Sequence, residues 1–180
     1  MTLISRNILL ISGSGRNVGK TNFLCEVIAR NANQNVVAVK ITPHFHEPTT
    51  GLISVTTTED YRIFQETEAT SEKDSSLFLR SGASKVFYIQ TTDIHLEEAF
   101  SITLKQVNPD QPIVTESAAL RKYISPGLYV FIQKEQEEVK PSALEMKQLA
   151  DVIVYSDGER YSLNPKSIFF NQPWEINDIA

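Results

Sequence analysis

Apolar residues gather in six short runs: Asn7 to Ser12 (NILLIS), Val36 to Ile41 (VVAVKI), Lys85 to Ile89 (KVFYI), Pro112 to Thr115 (PIVT), Leu128 to Ile132 (LYVFI) and Asp151 to Tyr155 (DVIVY). Each is short, nearly continuous and bounded by polar or turn-forming residues, as strands buried on both faces are. Between the first two runs, Phe23, Leu24, Val27 and Ile28 stand at i, i+1, i+4 and i+5 and share one face of a helix predicted from Lys20 to about Ala32. Asn31, Asn33 and Asn35 mark its end. Helical patterns near 93–107 and 141–150 fall between later runs. Strands that are apolar on both sides need a covering layer on each. The expected class is therefore α/β with a mainly parallel sheet.

Two stretches depart from this rhythm. Within about 43–73, Ile53, Val55 and Thr57, then Tyr61 and Ile63, alternate as a hairpin does, which predicts a small β insertion. The tail from Gly158 to Ala180 holds Pro165, Pro173 and the single Trp174, and reads as an edge strand plus an extension.

Composition narrows the functional classes. With 180 residues, 41% of them hydrophobic, the chain suits one globular domain. A net charge of -5 and the lack of any Lys/Arg stripe argue against nucleic acid as the main partner. Cys25 is the only cysteine, and no apolar run is long enough to span a bilayer. The expected setting is cytoplasmic, away from membranes.

The candidate chemistry begins at GSGRNVGKT, Gly13 to Thr21. A glycine-rich turn that follows a strand and opens a helix lets successive backbone N–H groups converge on phosphate oxygens at a helix N-terminus. Gly13, Gly15 and Gly19 bracket this turn. Ser14 stands where the usual Walker A glycine would be, and with Gly13 as first hinge the loop is one residue longer than the usual form. Lys20 is placed to reach β and γ phosphates and Thr21 to ligate Mg²⁺. The whole segment Gly13, Ser14, Gly15, Arg16, Asn17, Val18, Gly19, Lys20, Thr21 and Asn22 is the candidate nucleotide-binding stretch.

Two residues at predicted strand ends extend the site, because ligands of open α/β sheets lie beyond the carboxyl ends of the strands. Lys40 offers a second cation near the γ-phosphate. Glu116 offers a carboxylate for Mg²⁺ or for orienting an attacking group. Weaker candidates are His44 and His46, Asp60 and Asp74 as second carboxylates or as turn and cap residues, and Asp93, which reads as a helix cap. Cys25 reads as a small core residue of the first helix.

Taken together, the long loop (GSGRNVGKT), the lysine ending the second strand (VVAVKI) and the glutamate ending a later strand (IVTES) resemble dethiobiotin synthetase and its dimer-forming P-loop relatives. More closely, the sequence resembles the molybdopterin-guanine dinucleotide biosynthesis protein B family. There a histidine-rich stretch follows the lysine, as in KITPHFH, and a Lys-Asp-Ser segment with a later Gly-Ala parallels KDSSLFLRSGASKVFYI. The likeness covers roughly residues 8–132.

That resemblance implies a three-layer P-loop NTPase fold over 1–180, with a hairpin insertion at about 43–73 and a C-terminal extension at about 158–180. It further implies a homodimer that binds Mg²⁺ with GTP or ATP, hydrolyses it slowly and assists an enzyme of molybdopterin cofactor biosynthesis. Lys20, Lys40 and Glu116 would be catalytic, with Thr21 and Glu116 holding the metal. The sequence departs from the family where Ser117-Ala118 follow the glutamate in place of glycine, and where Arg16 stands near the position of a loop lysine that some dimeric relatives send across their interface. No Asn-Lys-x-Asp guanine reader follows Ile132, so ATP and GTP both stay open. Two alternatives stand beside this reading: a small-molecule kinase or ATP-dependent ligase with its acceptor pocket between His44 and Asp74, and a non-enzymatic nucleotide- or anion-binding module.

Overall fold

The computed structural model describes residues 3–177. The first apolar run is the middle of a longer strand, β1 (Leu3–Gly13), which leads through the glycine loop into helix α1 (Lys20–Arg30) and then β2 (Val37–Thr42). A hairpin of β3 (Leu52–Thr57) and β4 (Tyr61–Glu66) precedes a short helix, α2 (Asp74–Arg80), and β5 (Lys85–Thr91). Next come α3 (Leu96–Leu104), β6 (Ile113–Glu116), β7 (Ile124–Lys134), α4 (Pro141–Gln148) and β8 (Val152–Ser156). A second hairpin, β9 (Ile168–Phe170) and β10 (Trp174–Ile176), ends the described chain.

Eight strands form one sheet in the order β3-β4-β5-β2-β6-β1-β7-β8. All pairs from β5 to β8 are parallel, while β4 runs antiparallel to β5 and β3 antiparallel to β4. The α/β class with a mainly parallel sheet is thus what the chain adopts. The hairpin expected within 43–73 forms, and it extends one edge of the main sheet through the β4–β5 pairing.

Side-chain alternation along the strands divides the core in two. Leu9 and Ile11 of β1 pack with Phe23, Leu24, Val27 and Ile28 of α1 and with Phe78 of α2. Ile8 and Leu10 turn the other way, into a cluster with Leu96, Ala99 and Phe100 of α3. All of these side chains are at least 98% buried, and each such Leu, Ile or Phe contributes about 1.5–3 kcal/mol of transfer free energy. Helices on both faces of the sheet match a three-layer arrangement.

The tail differs from expectation. Rather than adding an edge strand to the main sheet, β9 and β10 pair only with each other. They pack on the α1 face, where Ile168, Phe170 and Trp174 join the core. The cause is a set of polar contacts remote in sequence. Asn31, 2% exposed at the end of α1, donates from Nδ2 to the carbonyls of Val27 (2.8 Å) and Ile168 (3.0 Å) and accepts from the Phe170 amide (2.9 Å). The Trp174 indole donates to the Asn7 carbonyl at 2.8 Å. Residues 178–180 of the expected extension lie outside the described residues. Among the described residues, no helix is long and apolar enough to cross a membrane.

Candidate functional site

Parallel pairing brings three predicted residues to one end of the sheet. Glu116, the last residue of β6, lies opposite Ile11 of β1 on one side and Lys40 of β2 on the other. Parity then fixes the face. Val114 and Ala38 pack in the α1 layer, so Glu116 and Lys40, two residues further along, project to that same side.

The loop after Gly13 turns directly above them. Gly13 is required by space, since a Cβ there would stand 2.6 Å from the Ile132 carbonyl oxygen. Gly19, which precedes the first turn of α1, has φ 87 and ψ 11, a left-handed conformation that glycine adopts without cost. Asn17 is left-handed as well, at φ 57. Val18 is buried in the core beneath α1 and anchors the middle of the loop. Ser14 faces away from the opening: its amide donates to the Ile132 carbonyl (2.9 Å) and its hydroxyl accepts from the Lys134 amide (3.1 Å), which fastens the loop to β7.

The remaining amides behave otherwise. Among the described residues, Arg16 and Asn17 form a tight turn between Gly15 and Val18, and the backbone N–H groups of Gly15 to Asn17 and of Gly19 to Asn22 meet no acceptor of the chain. A run of free N–H groups at the start of a helix, with left-handed residues interspersed, is a concavity polarised for anions.

Four ionisable side chains and one hydroxyl converge on this opening. Lys20 Nζ donates to the Gly15 carbonyl at 2.6 Å and lies 4.0 Å from Glu116 Oε1. Lys40 Nζ sits 3.0 Å from Glu116 Oε2 and 2.7 Å from Asp74 Oδ2, and Thr21 Oγ1 donates to Glu116 Oε2 at 3.4 Å. Burial pushes Lys20 below the ordinary lysine range, against the opposing charge of Glu116. For Lys40 burial is also the largest influence and acts downward, but the charges and hydrogen bonds of Glu116 and Asp74 together outweigh it and raise the pKa. Two adjoining clefts open here, sharing Arg16, Lys20 and Glu116. One, of about 460 Å³, is lined by loop residues with Lys40, Asp74 and Gly158. The other, of about 720 Å³, runs past Pro43, His44 and Asp93 to Ser117 and Lys122.

The cluster thus unites Lys20, Thr21, Lys40 and Glu116, with Arg16, Asn17 and Asn22 at the rim. Asp74 joins it too. It is not the cap of α2, because Lys73 occupies the N-cap; Asp74 opens the helix and reaches Lys40. Its position is set from below, where buried Glu66 of β4 accepts from Ser75 Oγ (2.7 Å) and the Glu68 amide (2.9 Å) and pairs with Lys73 (3.0 Å).

Other candidates lie apart. His44 borders the larger cleft, with its ring 6.2 Å from that of His46, and both are exposed. Among the described residues no three His, Cys, Asp or Glu side chains gather as a metal site. Asp60, in the β3–β4 turn, lies 3.4 Å from Nε2 of His95, which precedes α3. The expectation that Asp93 caps its helical turn does not hold: Thr92 occupies that position without a side-chain bond, and Asp93 pairs with Lys122 at 3.5 Å. Cys25 packs against the α1 core, and burial pushes its thiol up.

Two contributors escaped sequence reasoning. Gly158 lines the smaller cleft, and Tyr161 donates its hydroxyl to the Gly19 carbonyl at 2.7 Å. The available signal was the position of the Ser-Asp-Gly turn just past the carboxyl end of β8, on the side of the sheet where ligands gather. Compared with protein families, with curated proteins and with solved structures, the chain matches none.

Proposed function

We propose that this chain is a single-domain P-loop NTPase that binds ATP or GTP with Mg²⁺ on the β1–α1 loop and hydrolyses it slowly. The observation that carries the proposal is the convergence of Lys20, Thr21, Lys40 and Glu116 beneath a loop whose amides at Gly15 to Asn17 and Gly19 to Asn22 are unpaired among the described residues. Such amides suit the triphosphate chain, and Lys20 exchanges the Gly15 carbonyl for phosphate oxygens. Lys40, held charged by its carboxylate neighbours, neutralises the terminal phosphate.

The residues present fit Mg²⁺. Thr21 Oγ1 and Glu116 Oε2 are hard oxygen donors 3.4 Å apart, close to the roughly 3 Å between neighbouring ligands that metal–oxygen bonds of 2.0–2.1 Å set. Bound there, Mg²⁺ would neutralise phosphate charge as it develops. This chain's own part is to position the nucleotide and exclude competing geometries, which is most of what phosphoryl transfer asks.

By resemblance, the cellular role we propose is that of a cytoplasmic homodimer assisting an enzyme of molybdopterin cofactor biosynthesis. A second reading, a small-molecule kinase or ATP-dependent ligase, is favoured by the larger cleft, which continues beyond Lys20 and Glu116. Its acceptor would lie against His44, Asp93 and Ser117. Turnover that rises only when a metabolite is added selects this second reading.

The test of both is calorimetric titration of the protein with ATP and with GTP, each with and without Mg²⁺, beside Lys20→Ala. Binding that needs Mg²⁺ for full strength and disappears in the variant is expected. Heat-silent titrations with both nucleotides, or equal affinity in the variant, overturn the proposal.

A further inference from the structure

We propose that Tyr161 is a positioning residue for the nucleotide loop: its hydroxyl fixes the Gly19–Lys20 peptide so that the Lys20 amide points into the cleft. This inference rests on the nucleotide reading of that loop. The Gly19 carbonyl accepts two hydrogen bonds, from the Phe23 amide at 2.9 Å and from the Tyr161 hydroxyl at 2.7 Å. A trans peptide is planar, with its N–H directed opposite its C=O. Holding the carbonyl toward the helix and Tyr161 therefore holds the Lys20 N–H outward, among the free amides that face the phosphates. Rotating this peptide breaks both bonds at once.

Tyr161 is itself well fixed. Its ring stands edge-on to fully buried Phe23 of α1, with centroids 4.9 Å apart and an interplanar angle of 83°. The preceding turn is tied down by the Asp157 carboxylate, which accepts from the amides of Glu159 and Arg160, and by Ser156 Oγ, which accepts from the Gly158 amide. The fit against the loop is close. A Cβ on Gly19 would stand 2.7 Å from the Tyr161 hydroxyl and 3.2 Å from the Gly158 carbonyl oxygen. The segment after β8, which adds no strand to the main sheet, is thus a brace on the outer wall of the loop.

The hydroxyl and the ring have separable duties, and the test uses both. In Tyr161→Phe the ring stays on Phe23 and only the hydroxyl is lost. Affinity for Mg-ATP and Mg-GTP, read by calorimetry, should fall about threefold to tenfold, the range one hydrogen bond supports. Tyr161→Leu should lower the thermal midpoint further while its nucleotide affinity stays near that of the Phe variant. Wild-type affinity in Tyr161→Phe overturns the proposal, and so does affinity that tracks thermal stability across the two variants. If the wild-type protein binds neither nucleotide, the functional reading fails and hydrogen exchange decides the brace alone. The Phe23 amide should then exchange faster in Tyr161→Phe while Val27 is unchanged, and an unaltered Phe23 rate sinks the brace.

Discussion

At the amino ends of the strands, a cleft of about 750 Å³ is lined largely by amides and hydroxyls and one of about 630 Å³ is half apolar; at the carboxyl ends, clefts of about 720 and 460 Å³ share Arg16, Lys20 and Glu116, and Lys40 and Asp74 line the smaller. Size does not separate the two ends. Satisfaction of polar groups does. At the amino end, Gln111 Nε2 donates to the Asn35 carbonyl (2.6 Å), Ser84 Oγ to the same carbonyl (2.8 Å), and Asn7 Nδ2 to the Gln111 carbonyl (2.7 Å). These groups answer one another and close the surface. At the carboxyl end, charges are drawn together beside solvent-facing amides that the chain itself leaves without an acceptor, an arrangement open to an anion. A cleft's chemistry, more than its volume, marks it as a site.

The contrast can be broken most directly at Lys20. Lys20→Ala should weaken nucleotide binding about 100-fold, since removing one member of a buried charged contact costs several kcal/mol, with the circular dichroism spectrum unchanged. Next, Glu116→Gln should lower Mg²⁺-dependent hydrolysis about 100-fold, measured as phosphate release, while binding changes only a few-fold. An active Glu116→Gln protein removes that residue from the chemistry.

A smaller effect comes from pH. The depressed Lys20 pKa means that nucleotide affinity should begin to fall below the ordinary lysine range as pH rises, because the phosphates need the ammonium form. In the free protein Lys20 acts with the opposite sign. Between its lowered folded value and its unfolded value the unfolded chain holds more protons, so its contribution to stability grows with pH. The raised pKa of Lys40 does the reverse, its stabilising contribution being complete below the unfolded value and lost as pH climbs through the folded one. Lys20→Arg, which stays protonated, should flatten the fall in affinity. Smallest of all, Gln111→Ala at the amino end should cost at most about 1 kcal/mol in urea unfolding and leave nucleotide affinity alone. Lost binding in that variant would erase the distinction between the two ends.

Much of the carboxyl end was legible because it follows from local pattern. The strand at 36–41 places Lys40 two residues past Ala38, and PIVTE places Glu116 two past Val114, so alternation alone puts both on the α1 side. Other features were hidden for physical reasons. Helix α2 spans seven residues, with Leu77, Phe78 and Leu79 consecutive and Ser75 and Ser76 buried, too short and too irregular for a 3.6-residue period to emerge. β7 runs through Pro126 and Gly127, residues that read as a strand breaker. The chain tolerates them because the β1–β7 register shifts between Ser5 and Leu9, where Gly127 backs onto the Arg6 carbonyl so closely that a Cβ would lie 2.0 Å away. The brace at Tyr161 and the docking of the tail on Asn31 join residues more than a hundred positions apart, and nothing in either segment alone announces its partner.

Trp174, 3% exposed and hydrogen-bonded to the Asn7 carbonyl, is the chain's sole indole. Fluorescence excited at the red edge, where the six tyrosines do not absorb, therefore has a single source, seated between the terminal hairpin and the first strand. Its emission colour reads tail docking, separately from the helical ellipticity that α1 to α4 contribute together. Should the two signals part company during denaturation, the hairpin will have peeled away as a cooperative unit of its own, ahead of the sheet it covers.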